Sequence, residues 1–357
     1  MRVRICTDFL TVATIGYLPQ ALATLRSARE AGQFMAMHVF ALDAAEGSIE
    51  KVKLALGIDA EWINVFGPED LDDELRSTFL RTFDYYNPVE ISCLAKYVGV
   101  SHVLQKSGSA ERCVFSDSDV LFLYNTKSAV DELGDKAMLL TPHQLGPSTD
   151  AAEHDYLLHG WINAGFFMVN RDNPATKNIL NWLIHRISRR GFLAPELGLS
   201  CDQSWVSLLP GMYADSVSVS RLAGYNVAYW NLVERQLGRV EGRFEANGTP
   251  LVFFHFSGFF GAAPGQLTKH GDFRVKRGSA LDDLCQKYQS LLNDCADLNM
   301  SGIPIMDCST KNLKQRIIKG NNINNMNVET TSSSVAVFTK LGAKMDTVFA
   351  KFLYKKA

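Results

Sequence analysis

The sequence predicts an α/β protein with a mostly parallel central sheet flanked by helices and a helical appendage at the C-terminal end. Apolar runs of strand length alternate with segments of helical period through the first half of the chain. Polar and acidic residues interrupt the ends of those runs, where a parallel sheet gathers its ligands. A chain of 357 residues, 46% hydrophobic and 21% charged, can bury a large core, so one large domain with an appendage is expected rather than two equal halves.

Residues 3–8 read as a buried strand. Residues 18–31 read as a helix, with Pro19 in its first turn and Gly32 as its stop. Residues 35–42 form the next strand and complete a βαβ opening. A helix over 50–56, a short strand near 62–66, a helix after Pro88 and a strand over 112–116 continue the alternation. Further strands are expected at 137–140, 166–170, 217–222 and 251–256, and further helices at 174–190 and 281–293. On this reading Thr7-Asp8 and Asp117–Asp119 both sit at strand ends and share one rim. Neither G-x-G-x-x-G nor a Walker loop is present.

A formal charge of −2 and the lack of a long basic block before the C-terminal region argue against a dedicated nucleic-acid surface. Seven cysteines, at 6, 93, 113, 201, 285, 295 and 308, form no C-x-x-C pair. They suggest reduced thiols in a cytoplasmic protein rather than a disulfide frame or zinc site. Arg2, Arg4 and Ala21-Leu22-Ala23 imitate an export signal, but Asp8 breaks the apolar run and Pro19 fits a helix start. No stretch reaches transmembrane length.

Near Ser309 the composition turns to Asn, Ser, Thr and Lys, which divides the chain into a domain over 1–295, a polar linker over 296–335 and a basic amphipathic helix over 336–357. In that helix Phe338, Leu341, Met345, Val348, Phe349 and Phe352 recur at helical spacing, edged by Lys340, Lys344, Lys351 and Lys355. Such a helix suits peripheral contact with the inner face of an anionic membrane, with packing on the core as the rival reading.

Asp117-Ser118-Asp119 carries the most chemistry. An apolar run ends at Ser116, another begins at Val120, and neither Gly, Pro nor Asn marks an ordinary turn between them. Residues two apart in an extended segment leave the same face, so both carboxylates can approach one divalent ion. Buried and unpaired they would be costly. An acidic turn, an Asx-type cap and a solvated loop are the competing explanations.

Further clusters are Lys96 within a helix, Asn163-Ala164-Gly165 before an apolar strand, Asp202-Gln203 opening a helix, and His255-Phe256-Ser257-Gly258 after a strand. With the acidic triplet they resemble the nucleotide-diphospho-sugar glycosyltransferases of the GT-A (Rossmann-like) fold, in particular the retaining family 8 group that includes bacterial lipooligosaccharide galactosyltransferases and glycogenin. The resemblance covers residues 1–295. It implies that Asp117, Asp119 and His255 hold Mn2+ or Mg2+, and that Thr7, Asp8 and Phe9 contact the donor nucleoside. Lys96, Ser118, Ala164, Gly165 and Gly258 would line the donor site. It assigns Asn163, Asp202 and Gln203 to catalysis, with Asp202 on sugar hydroxyls and Gln203 near the anomeric carbon. Gln203 is an amide and a poor nucleophile, which favours acceptor attack on the face the leaving group departs from.

Bland readings remain beside these: Asp202 could be a helix N-cap, Lys96 a solvated lysine, and His255 a core histidine bonded to backbone. Relatives carry Lys-Pro-Trp after the His-x-x-Gly element, where this chain has Phe259 to Pro264. Lys269 or His270 could supply the missing positive charge if the loop folds back. Tyr225 to Asn231 sets aromatics beside amides, which suits sugars, although Trp230 reads more readily as core. The implied activity is metal-dependent transfer of a hexose from a nucleotide-diphosphate sugar to a hydroxyl of a glycan or glycolipid, with retention. Two alternatives are a non-catalytic sugar-nucleotide or glycan-binding protein of the same fold and a sugar-1-phosphate nucleotidylyltransferase, whose Gly-rich basic loop is not matched by Ile15-Gly16-Tyr17-Leu18.

Overall fold

Strand β1 spans Thr7–Ala13 and every residue of it is buried, as expected of a strand covered by helices on both faces. The computed structural model describes residues 7–32, 34–108 and 110–322. Residues 3–6 of the strand expected over 3–8 lie outside the described part, and the strand runs on past the end expected at Asp8. The apolar run through Leu10 and Val12 carries β1 on to Ala13, so Thr7, Asp8 and Phe9 do not close the strand. Helix α1 spans Leu18–Ala31, begins with Pro in its first turn and stops at Gly32, as predicted. A Cβ on Gly32 would lie 2.5 Å from Phe34 Cε2 and 2.8 Å from the Ala28 carbonyl oxygen.

The chain continues through β2 (Met37–Ala41), α2 (Ile49–Leu56), β3 (Ile63–Phe66), α3 (Asp73–Leu80), α4 (Pro88–Lys106), β4 (Arg112–Ser116), β5 (Val120–Phe122), β6 (Met138–Pro142) and β7 (Ile162–Asn170). The central seven-stranded sheet has the order Val217–Val219, β6, β7, β4, β1, β2, β3. Strand β7 is antiparallel to both β4 and β6, and the remaining pairs are parallel. Strand β5 leaves this sheet and pairs antiparallel with Phe253–His255, with His255 opposite Val120. That register delivers a histidine from late in the sequence to the residue after Asp119.

Two apolar clusters fill the two sides of the sheet, one around α1 and the other around α4. Helix α4 is buried along most of its length, which explains its apolar residues on every side. Asn87 and Glu90 close a capping box at its start: Asn87 Oδ1 accepts the Glu90 N–H at 3.0 Å, and Glu90 Oε2 accepts the Asn87 N–H at 2.8 Å. Glu90 is fully buried, also accepts the Leu193 N–H at 2.9 Å, and pairs with Arg316.

Arg316 belongs to a helix over Leu313–Asn322. Upstream, the Ala45 N–H donates to the Pro304 carbonyl at 3.1 Å and the Met306 N–H to the Asp43 carbonyl at 2.8 Å. The part of the expected polar linker that precedes residue 323 thus packs against the domain. The rest of it, and the basic helix expected over 336–357, lie outside the described residues. Replacing Arg316 by Ala leaves the Glu90 carboxylate buried without its cation, and urea unfolding should show a loss of about 3 kcal/mol. A loss below about 0.5 kcal/mol, the range of ordinary surface substitutions, would mean that this helix is not docked in solution.

Candidate active site

Beyond β4 the chain turns through Asp117, Ser118 and Asp119. The Asp117 N–H donates to the Gly165 carbonyl at 2.8 Å, and the Phe256 N–H donates to the Asp119 carbonyl at 2.8 Å. The acidic turn is thereby stitched to β7 on one side and to the Phe253–His255 segment on the other. One ligand atom from each of Asp117, Asp119 and His255 lies within 4.8 Å of the others, and His255 Nε2 is 3.0 Å from Asp119 Oδ1. His255 is buried and its Nδ1 is 3.3 Å from Asn226 Oδ1, so it is no backbone-bonded core histidine. Gly165 must lack a side chain, because a Cβ there would come 2.4 Å from His255 Cε1.

Lys96 is buried on α4 and is not the solvated lysine of the bland reading. Its Nζ is 3.0 Å from Asp117 Oδ1 and 3.5 Å from Asp202 Oδ2, and it donates to the Ala164 carbonyl at 3.1 Å. The Tyr97 hydroxyl donates to Asp202 Oδ2 at 3.0 Å. Asp202 stands at the N-cap position of the short helix Gln203–Val206 but makes no side-chain cap hydrogen bond; its carboxylate serves α4 instead.

Charge balance follows from this packing. Burial alone would lower the Lys96 ammonium, but Asp117 and Asp202 outweigh it and raise the group above its ordinary value. Burial raises the Asp117 carboxyl, and Lys96 and His255 offset that only in part. Burial would raise Asp119 as well, but His255 outweighs it and holds the carboxyl below the ordinary range. Burial would lower His255, and Asp119 raises it above its ordinary value. Two hard carboxylate oxygens and an imidazole nitrogen so close together form a donor set that could hold a divalent metal ion.

A second network adjoins the first. Asn163 Nδ2 lies 3.1 Å from Gln203 Oε1 and 3.2 Å from His143 Nε2, while Asn163 Oδ1 accepts the Gly165 N–H at 3.0 Å. Gln203 Nε2 donates to the His159 carbonyl at 3.2 Å, and His143 Nδ1 reaches the Trp161 carbonyl at 3.2 Å. Asn163-Ala164-Gly165 lies inside β7, not before it, because a register shift between Leu140 and Thr141 keeps Ile162 and Asn163 paired to β6. Sequence reasoning missed Tyr97, and it also missed His143. It follows β6 directly, and its position at a strand end is the signal that could have found it. Trp230 lies edge-on to both histidines, its ring centre 5.2 Å from His255 and 5.4 Å from His143, and so walls the two networks together.

The structure does not bring Thr7, Asp8 and Phe9 to this site. Thr7 pairs with Arg112 and Asp8 with Cys113, at the end of β4 away from the acidic turn, and Asp8 Oδ2 contacts His38 Nε2 at 3.2 Å. Four residues of extended chain separate them from the rim, about 13 Å. The turn after β1, from Thr14 to Tyr17, occupies the rim instead, with the Ile15 N–H donating to Asp43 Oδ1 at 2.7 Å. Ser118 lies between the two aspartates and is half-buried.

The loop after His255 does fold back. The Lys269 N–H donates to the Gly258 carbonyl at 2.9 Å and Thr268 Oγ1 to the Ser257 carbonyl at 2.8 Å. Gly258 has φ +72°, and a Cβ there would meet His270 Cδ2 at 2.4 Å. Lys269 and His270 are both exposed; partial burial of its ring and the neighbouring Lys269 charge lower His270 below its ordinary value, and the Lys269 side chain lies beside Gly261.

No family model matches the chain. It is 25% identical over 256 residues to the uncharacterized protein YfnF of Bacillus subtilis, covering 70% of this chain and 81% of that one. Among solved structures, the galactosyltransferase LgtC in complex with donor and acceptor sugar analogs is similar at 14% identity and a TM-score of 0.48, over 80% of this chain and 95% of that one. Mouse xyloside xylosyltransferase 1 is similar at 12% identity and a TM-score of 0.43, over 70% and 96%.

Burial lowers His143 from an ordinary 6.5 to about 4, the Trp161 carbonyl opposing it. Its folded value is the depressed one, so between pH 6.5 and about 4 the unfolded chain binds a proton that the folded chain does not. Stability therefore falls as pH falls through that window, by roughly 3 kcal/mol in full. Burial lowers His185 to about 4 too, so the measurement is a difference: urea unfolding of His143→Gln should show a shallower loss between pH 6.5 and 4.5 than the native chain. Parallel curves would contradict a neutral, buried His143.

Proposed function

We propose that this chain is a divalent-cation-dependent glycosyltransferase. It moves a hexose from a nucleotide-diphosphate sugar to a hydroxyl of a glycan or lipid-linked acceptor, with retention of anomeric configuration. The observation that carries the reading is the meeting, at the carboxyl rim of the sheet, of the Asp117–Asp119–His255 cluster and the Asp202–Gln203–Asn163 network through buried Lys96. The motifs quoted from the sequence support the substrate class.

Asp117, Asp119 and His255 would hold Mn2+ or Mg2+, which supplies charge neutralisation for the departing diphosphate. Lys96 adds a fixed positive charge between that cluster and Asp202, close to where donor sugar and phosphate meet. Asp202 accepts hydrogen bonds from sugar hydroxyls while Tyr97 and Lys96 hold it in place. Gln203 is tied at both ends of its amide, to Asn163 and to the His159 carbonyl, so it is an orienting group and not a nucleophile. Attack by the acceptor on the face of departure follows from that assignment.

The backbone of Ala164 and Gly165, together with Ser118 and Gly258, lines the path of the diphosphate, with Lys269 on the folded-back loop as the basic group. The nucleoside is assigned to the turn from Thr14 to Tyr17, and not to Thr7, Asp8 and Phe9. No helix among the described residues is long and apolar enough to cross a membrane. The basic, amphipathic sequence of 336–357 suits a peripheral membrane contact that would bring a lipid-linked acceptor to a cytoplasmic enzyme.

Nucleoside-diphosphate release from a panel of sugar nucleotides, with and without Mn2+, tests the proposal. Asp119→Ala should lower turnover by about a thousandfold, the several kcal/mol that a Lewis acid contributes. Turnover that ignores both Mn2+ and that substitution would end the reading.

A further inference from the structure

We propose that Asn226 is a positioning residue for the cation site. Its carboxamide oxygen accepts a hydrogen bond from the Nδ1–H of His255 and so turns the Nε2 lone pair toward the two aspartates. The inference rests on the cation-site reading above and goes beyond it by naming a group that sets cation affinity without touching the ion.

The amide has a defined orientation. Asn226 Nδ2 donates to the Pro142 carbonyl at 3.4 Å, which leaves Oδ1 facing His255 Nδ1 at 3.3 Å. A carboxamide oxygen only accepts, so the Nδ1 of His255 is the nitrogen that carries the proton. The other nitrogen, Nε2, is the one 3.0 Å from Asp119 Oδ1. A proton on Nε2 can bridge that contact when no metal is bound, and a divalent cation would take its place, with Nδ1 keeping its own proton in both states. Ligating histidines commonly donate their second N–H to such an acceptor, which fixes both tautomer and ring plane.

The backbone at this position demands the same residue. Asn226 is fully buried with φ +53°, a left-handed conformation that Asn tolerates better than most side chains. It is held there by Asn231, whose Nδ2 donates to the Asn226 carbonyl at 2.9 Å and to the His143 carbonyl at 2.9 Å. One residue on, the Val227 carbonyl accepts the His255 N–H at 2.8 Å. An ordinary turn asparagine would bond its own neighbouring backbone. This one spends its amide on Pro142 and His255. Trp230 on one side and the bare Gly165 on the other restrict the ring further.

Two variants of the full chain separate the roles. Asn226→Gly keeps the left-handed backbone and removes the acceptor, and Asn226→Asp keeps both. Mn2+ titration followed by electron paramagnetic resonance of the free ion should show affinity lowered about 10–100-fold in Asn226→Gly and near the native value in Asn226→Asp. Native affinity in Asn226→Gly, or equal weakening in both variants, overturns the proposal while leaving the cation site intact. A native chain that binds neither Mn2+ nor Mg2+ overturns the cation reading and this inference with it. Should Asn226→Gly fail to unfold cooperatively, long-range 1H–15N spectra of the native chain with Mg2+ decide. They should show the His255 proton on Nδ1, and a proton on Nε2 refutes the role.

Discussion

The site depends on one backbone constraint: β5 leaves the main sheet and pairs with Phe253–His255 in a register that sets His255 against Val120. Without that pairing the histidine and the two aspartates are separated by more than a hundred residues of chain. With it, and with the Phe256 N–H bonded to the Asp119 carbonyl, the imidazole and carboxylates are held in contact by main-chain geometry and not by their own attraction. The acids could otherwise relax apart into solvent, since Asp117 and Asp119 each keep about a third of their side chains exposed.

A second constraint comes from α4. Lys96 and Tyr97, adjacent on that helix, both reach Asp202, and Lys96 also reaches Asp117. A buried ammonium between two carboxylates is tolerable because hydrogen bonds and opposite charges surround it. The same helix is fixed at its start by Glu90, which in turn binds the C-terminal segment through Arg316. One buried helix therefore carries polar contacts at both ends of this span, to Arg316 through Glu90 and to the acidic turn through Lys96.

Much of the fold was legible. Helix α1 and β4 match their expected bounds, because Pro19, Gly32 and the abrupt polar break at Asp117 are strong local signals. The acidic pair, His255, Lys96, Asp202, Gln203 and Asn163 do come together. The end of the first strand was misplaced because its apolar run continues through Leu10 and Val12 past Asp8, and a single acid inside a strand imitates a strand end. Pairing with His38 is what lets Asp8 sit there, and no local pattern reveals that partner. The strand-end position of His143 and the amide-rich run that holds Asn226 were legible, but the partners of these two residues were not, for a related reason. Their roles come from tertiary hydrogen bonds, at 3.2 Å to Asn163 and 3.3 Å to His255, between residues with no fixed spacing in sequence.

The central claim is that Asp117, Asp119 and His255 share one divalent cation. Anomalous diffraction at the manganese edge, from crystals grown with Mn2+ and a nucleoside diphosphate, tests it most directly. The account predicts a single strong peak bonded to His255 Nε2 and to carboxylate oxygens of Asp117 and Asp119, with diphosphate oxygens completing the shell. A peak elsewhere, or nucleotide bound at this rim with no metal between it and these three side chains, would contradict it.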